Sequence, residues 1–172
     1  MKGLICLKKL TAVILIVAAF LLCACTRQEN TAQKPSFENL VSYVSFEENE
    51  CTVKGILCCG LDGKVTFTVT EPESIKKITF SATSSANEIR YDNFSVSKQR
   101  LSVFPDETNG LDNLFEVIFS CFSNEPKKTV SSQYTVKYPS GEAIITLDKD
   151  GQIKSVRAGE YDYTFTRSPE SA

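Results

Sequence analysis

The sequence predicts an α+β domain, mainly β, on three observations. Between Phe37 and Thr166, run after run alternates apolar and polar residues with a period of two, which puts the apolar side chains on one face of a strand. Turn signals rich in Gly, Pro, Asp and Asn separate the runs. One long stretch, 109–122, changes period and repeats its apolar residues at helical spacing.

Leu40, Val44 and Phe46 fit one face of a first strand, with a short helix near 36–42 as the alternative. Val53, Gly55, Leu57 and Cys59 share a face of the second run. Leu61-Asp62-Gly63-Lys64 is a hairpin signal. The next strand sets Val65, Phe67 and Val69 inward against Thr66, Thr68 and Thr70 outward. Glu71-Pro72-Glu73 ends it, because proline cannot donate to a ladder. Ile75 and Ile78 fit one helical turn before a strand over 79–83. Ile89, Tyr91, Phe94 and Val96 read as a further strand kinked at Asp92-Asn93, and 101–104 as a short one.

Asn109 can cap the helix, with Asp112 three residues on in capping-box fashion. Leu111, Leu114, Phe115, Ile118, Phe119 and Phe122 then recur at helical spacing. Val117 and Cys121 widen the apolar arc, so the helix is expected to be covered on more than one side. It stops at Ser123-Asn124-Glu125-Pro126. The C-terminal third reads as an antiparallel meander. Val130, Tyr134, Val136 and Tyr138 alternate with polar residues, and Pro139-Ser140-Gly141 and Asp148-Lys149-Asp150-Gly151 turn the chain on either side of 142–147. Strands over 152–158 and 160–166 close it, the last with Tyr161, Tyr163 and Phe165 on one side.

Ahead of the domain, Lys2, Lys8 and Lys9 precede an apolar run of 13 residues, 10–22, and no acidic residue occurs before Glu29. A spanning helix needs ~20 residues, so the run has the length of a signal peptide. Leu22-Cys23-Ala24-Cys25 resembles a bacterial lipoprotein signal, with Leu and a small Ala placed before the cysteine that becomes residue one. The resemblance implies removal of 1–24 and acylation of Cys25, with palmitate-type chains. Two or more such chains hold a protein stably on a membrane. The alternative is an ordinary secretory signal with Cys25 incidental. Residues 25–36 read as a flexible tether, with a reach of roughly 40 Å, and 167–172 as a disordered tail. The expected place of work is the extracytoplasmic face of the cell membrane, with one domain over 37–166.

Losing residues 1–24 leaves 148 of the 172, enough for one domain with a real core. It also leaves sixteen basic against twenty-one acidic side chains, a net −5 that argues against a nucleic acid partner. There is no His, which removes Ser-His and Cys-His nucleophile pairs and the commonest metal ligand. Cys51, Cys58, Cys59 and Cys121 allow two bridges in three pairings. Cys58 and Cys59 would point to opposite faces of a strand, so a bridge between them is not expected. The preferred reading is buried free thiols acting as small apolar residues, with one long-range bridge as the alternative. By parity and helix position Cys51, Cys59 and Cys121 are expected to be shielded and Cys58 the more reactive.

No catalytic, metal or cofactor site is predicted. Asp148-Lys149-Asp150-Gly151 begins like a calcium loop, but Glu160 falls one position late and no helices flank it. Ser74 with Lys77, and Ser95 with Lys98, match a short serine–lysine motif whose companions are missing, since Lys128-Thr129 is followed by Val130 rather than Gly. Glu47, Glu48 and Glu50 sit at a turn and read as solvated. No glycine-rich phosphate loop occurs. The chain reads as a non-enzyme.

The run from Val65 to Pro72, Ile78-Thr79-Phe80, Ile89-Arg90-Tyr91 and the apolar helix resemble small lipoproteins of the lipoprotein-carrier (LolA-like) fold, in particular the spore-germination type of Gram-positive spore formers. The resemblance spans about 37–166. It implies an open, curved antiparallel sheet, a half-barrel of about 8–10 strands, with the helix covering its concave face. It implies two functions. As an adaptor the chain would bind another cell-envelope protein through its outer surface, which is the expectation preferred here. As a carrier or receptor it would hold a lipid on the concave face. Leu111, Leu114, Phe115, Ile118, Phe119 and Phe122 are the residues expected to line that core or ligand site.

Overall fold

The computed structural model describes residues 34–99 and 109–167. In chain order these form β1 (Val41–Glu48), β2 (Cys51–Cys59), β3 (Val65–Glu71), a 3₁₀ turn (Glu73–Ile75), β4 (Thr79–Ala82), β5 (Ala86–Tyr91) and β6 (Phe94–Gln99). They continue with α1 (Asn109–Ser123), β7 (Lys127–Val130), β8 (Gln133–Tyr138), β9 (Gly141–Leu147), β10 (Ile153–Ala158) and β11 (Tyr161–Arg167). The signal segment, Cys25, the tether up to residue 33, the strand expected over 101–104 and residues 168–172 lie outside the described residues. So does whatever caps α1, which begins at Asn109 itself.

The strands form one open antiparallel sheet of 11 strands in the order β6-β5-β4-β3-β2-β1-β11-β10-β9-β8-β7. Every neighbour is a neighbour in sequence except at the centre, where β1 pairs with β11, Val44 opposite Phe165. Two meanders thus meet side by side, and α1 belongs to the segment that leads from one edge strand, β6, to the other, β7.

One face of the sheet is apolar. Val44 and Phe46 lie on it from β1, Leu57 and Cys59 from β2, Val65, Phe67 and Val69 from β3, and Tyr163 and Phe165 from β11, all buried. The opposite face of β3 carries Thr66, Thr68 and Thr70, and the Thr68 hydroxyl meets that of Thr79 at 3.1 Å. Alternation of this kind is what a sheet covered on one side requires. α1 packs on the apolar face, against β8, β1 and β10. Leu111, Leu114, Phe115, Val117 and Ile118 are buried there, a broad arc rather than a single stripe. In β10 the register slips between Ile153 and Ser155, so Ile153 and Val156 both reach the core despite their odd spacing. Gly55 is required by a close approach: a Cβ there would lie 2.6 Å from the Thr68 carbonyl oxygen and within the Phe67 ring.

Four expectations need correction. The sheet has 11 strands rather than 8–10. The stretch read as one strand kinked at Asp92-Asn93 is a hairpin, in which Tyr91 pairs with Phe94 and Ile89 with Val96. Along one continuous strand Tyr91 and Phe94 would face opposite ways. The two-residue turn, with Asp92 at φ 50°, puts them on the same side. Likewise Val130 and Tyr134 belong to separate strands, and Val130 pairs with Gln133 across Ser131-Ser132. Leu40 precedes β1 but packs on the core all the same.

Candidate functional site

The first turn of α1 is held by side chains from the sheet. Glu48 ends β1 on the same parity as Val44 and Phe46, so it points to the helix side and is not the solvated turn residue the sequence suggests. Its Oε2 accepts the Gly110 backbone N–H at 3.0 Å and its Oε1 accepts the Tyr161 hydroxyl at 3.2 Å. A carboxylate there satisfies an N–H that has no partner within the helix, and the helix dipole favours it. The Tyr163 hydroxyl donates to the Gly110 carbonyl from inside the core. A Cβ on Gly110 would sit 2.8 Å from the Phe46 ring and 3.0 Å from the Tyr161 ring, so only glycine allows this approach. Burial, and then the Glu48 charge, push the Tyr161 hydroxyl up to about 12. Burial raises Tyr163 as well. Of the neighbouring acids, Glu47 accepts the Thr52 hydroxyl at 2.7 Å and Glu50 is exposed.

Of the helix residues expected to line a core or ligand site, Leu111, Leu114, Phe115 and Ile118 are buried. Phe119 and Phe122 are half-buried, their rings edge-on at 6.3 Å. Phe119 lines an open cleft with Glu116, Ser120, Lys137 and Tyr138. Phe122 lines another with Pro126 and residues 34–38. Both clefts mix charged and apolar walls.

Among the described residues a run of exposed apolar side chains lies at the other end of the same face, where sequence reasoning did not look for it. Cross-strand pairs share a face, so the register carries the core outward: Phe67 opposite Phe80, Phe80 opposite Ile89, Ile89 opposite Val96, and Tyr91 opposite Phe94. Phe67 is fully buried and Phe80 nearly so, whereas Tyr91 is 53%, Val96 59% and Phe94 78% exposed. α1 packs on β8, β1 and β10, away from this end. Asn87 lies two residues before Ile89 on the same side, opposite Ala82. It is 7% exposed, and among the described residues its Oδ1 has no hydrogen-bond partner. A buried acceptor left unpaired is uncommon and costs free energy until a donor reaches it. The arrangement is an apolar platform continuous with the core, with the Asn87 amide beside it on the same face. The signal that could have found it was Asp92-Asn93 read as a hairpin turn.

Ser74 and Lys77 are both exposed, and the Ser95 hydroxyl donates to Glu88 at 2.8 Å. Asp148 uses its Oδ1 to accept the backbone N–H groups of Asp150 and Gln152, closing a turn. Among the described residues no three His, Cys, Asp or Glu side chains gather closely enough to hold a metal, and no helix is long and apolar enough to cross a membrane. The four cysteines there are free. Cys59 is buried, Cys58 and Cys121 half-buried, and Cys51, expected to be shielded, is exposed because it sits at the hairpin end of β2, beyond the reach of the core. Burial pushes the Cys59 and Cys121 thiols up to about 12.

No family model matches the chain, and no curated protein matches it. Among solved structures it is similar to a LolA superfamily protein from Nitrosomonas europaea, at 5% identity and a TM-score of 0.42, covering 79% of this chain and 88% of that one.

Proposed function

We propose that this chain is a non-enzymatic protein, anchored by acylated Cys25 to the extracytoplasmic face of a membrane, that holds an apolar ligand on the platform of β4, β5 and β6. In this reading the sheet curves as a half-barrel whose concave side takes both α1 and an acyl chain. The observation that supports it is the line of Phe80, Ile89, Val96, Tyr91 and Phe94, which runs from the buried core into solvent without a change of face. Each methylene taken from water there contributes about 0.8 kcal/mol, so roughly ten would supply about 8 kcal/mol, a micromolar affinity before ordering costs. Asn87 Oδ1 would accept a hydrogen bond from a hydroxyl or amide on the ligand, or from a water beside it, which sets the depth of entry. The anchor keeps the protein at one membrane, so its role is that of a receptor or holder rather than a diffusing shuttle.

An envelope-protein adaptor has less support. The outward residues of β3 are threonines and the exposed Leu61 and Ile144 stand singly, while the outward cluster of Val41 with Cys58 and Tyr43 with Ile56 is largely half-buried.

Photo-crosslinking tests the proposal. The full chain in its own membranes is labelled with a photoactivatable fatty acid. Adducts should map to peptides containing residues 86–97 and persist in Cys25→Ser, which loses acylation and membrane attachment. Adducts absent from that segment would contradict it.

A further inference from the structure

We infer that β6 is an association edge through which two copies of this chain pair, antiparallel and about a twofold axis at Ser95. Among the described residues β6 and β7 are the two edges of the sheet, and they are built differently. β7 is guarded: Pro126 precedes it, Lys127 and Lys128 occupy its first positions, and its register slips between Lys128 and Val130. Proline, lysine and bulges are what keep an open edge from adding another strand. β6 has no proline and keeps an unbroken register with β5 from Ala86 opposite Gln99 to Tyr91 opposite Phe94. Residues 94–97 are all exposed.

The two-residue turn closes on Tyr91 and Phe94. By antiparallel alternation, Ser95 and Ser97 then turn their N–H and C=O groups away from β5. Setting Ser95 opposite Ser95 of the second copy matches those outward groups to each other. The same register places Phe94 opposite Val96 of the second copy, twice, on the apolar face. A shift by two residues, with Val96 opposite itself, would move Phe94 off Val96 and lose that match. The strand is therefore self-complementary in backbone and apolar pattern in one register. Pairing would join the two apolar platforms into one surface, but it does not depend on a ligand being there.

Cysteine crosslinking in the full chain in its own membranes reads the register directly, in a Cys51→Ser background that removes the exposed thiol. Residues directly opposite in a hydrogen-bonded antiparallel pair have Cα atoms about 5.5 Å apart, within disulfide range. Ser95→Cys should therefore form a disulfide-linked dimer under mild oxidation. Ser97→Cys, whose copies would lie four residues apart, roughly 13 Å, should form at least tenfold less. Absence of the dimer in Ser95→Cys, or equal yields in the two variants, would overturn the proposal. As a second measurement, Ser95→Pro removes an outward N–H and should convert detergent-solubilised dimer to monomer while leaving the unfolding midpoint in place. A wild-type chain that sediments as a monomer would also overturn it. None of these three serine substitutions replaces Phe94 or Val96, so ligand binding and pairing fail independently.

Discussion

Glu48 accepts the Gly110 backbone N–H at 3.0 Å, and through this bond the end of β1 holds the start of α1. The helix follows an edge strand and must still land on the middle of the sheet, so its first turn needs a fixed point. Glu48, Tyr161 and Tyr163 supply it by bonding around one glycine.

Removing either side of that contact should loosen the whole domain. Glu48→Ala leaves the Gly110 N–H and the Tyr161 hydroxyl without their acceptor and should cost about 1–3 kcal/mol in urea unfolding. Tyr163→Phe should cost a similar amount, because the Gly110 carbonyl it serves is shielded. The double variant should fall short of the sum by at least about 0.5 kcal/mol, as expected for groups that share a partner. Simple additivity would mean that the two do not hold the same point.

The helix face should divide sharply in energy. Leu114→Ala and Ile118→Ala remove fully buried side chains and should each cost about 2–5 kcal/mol. Phe119→Ala, at a half-buried position on an open cleft, should cost clearly less in the same measurement.

Most of this architecture can be read from the chain because burial on one face writes itself as alternation. Val65, Phe67 and Val69 against three threonines leave little choice, and the wide arc from Leu111 to Ile118 announces a helix lying on a sheet. What alternation cannot show is where a strand folds back. Asp92-Asn93 and Ser131-Ser132 each look like an irregularity within one strand, since neither carries the glycine that marks a two-residue turn. The apolar platform was missed for that reason, as Tyr91 and Phe94 share a face only once the hairpin is recognised. Glu48 was missed because a charged residue beside a turn ordinarily faces water, and its partner lies 62 residues away.

Thiol reactivity should follow burial rather than strand parity. Cys51 should alkylate fastest in the native protein and Cys58 more slowly; the half-buried Cys121 should be slower still, and Cys59 should react at the rate of unfolding. Their thiols, raised to about 12, hold little reactive thiolate near neutral pH. Modification of Cys59 as fast as Cys51 without denaturant would contradict the placement of β2.

The same groups set an alkaline limit. Burial raises Cys59 and Cys121 from an ordinary 9.0 to about 12, and Tyr161 from 10.0 to about 12. In each case the fold favours the neutral, protonated form, so above the ordinary value the unfolded chain binds fewer protons than the native one. The stability they contribute is fully present below about pH 9 and is lost as the pH rises toward about 12. Urea midpoints should be level near neutrality and fall steadily above about pH 9, and Cys59→Val should delay the onset. Midpoints that hold steady across that alkaline window would contradict the burial assigned to these groups.

The platform itself is tested by titrating a fluorescent fatty acid into the purified protein and into two variants. Wild-type protein should bind the probe saturably. Phe94→Asp should weaken binding at least tenfold while leaving the unfolding midpoint near its original value, because Phe94 is 78% exposed and adds little to the core. Leu61→Asp, at an equally exposed apolar residue in the turn between β2 and β3, should bind like wild type. Saturable binding that Phe94→Asp leaves untouched, or no saturable binding at all, would contradict the assignment of the β4–β6 face as the ligand site.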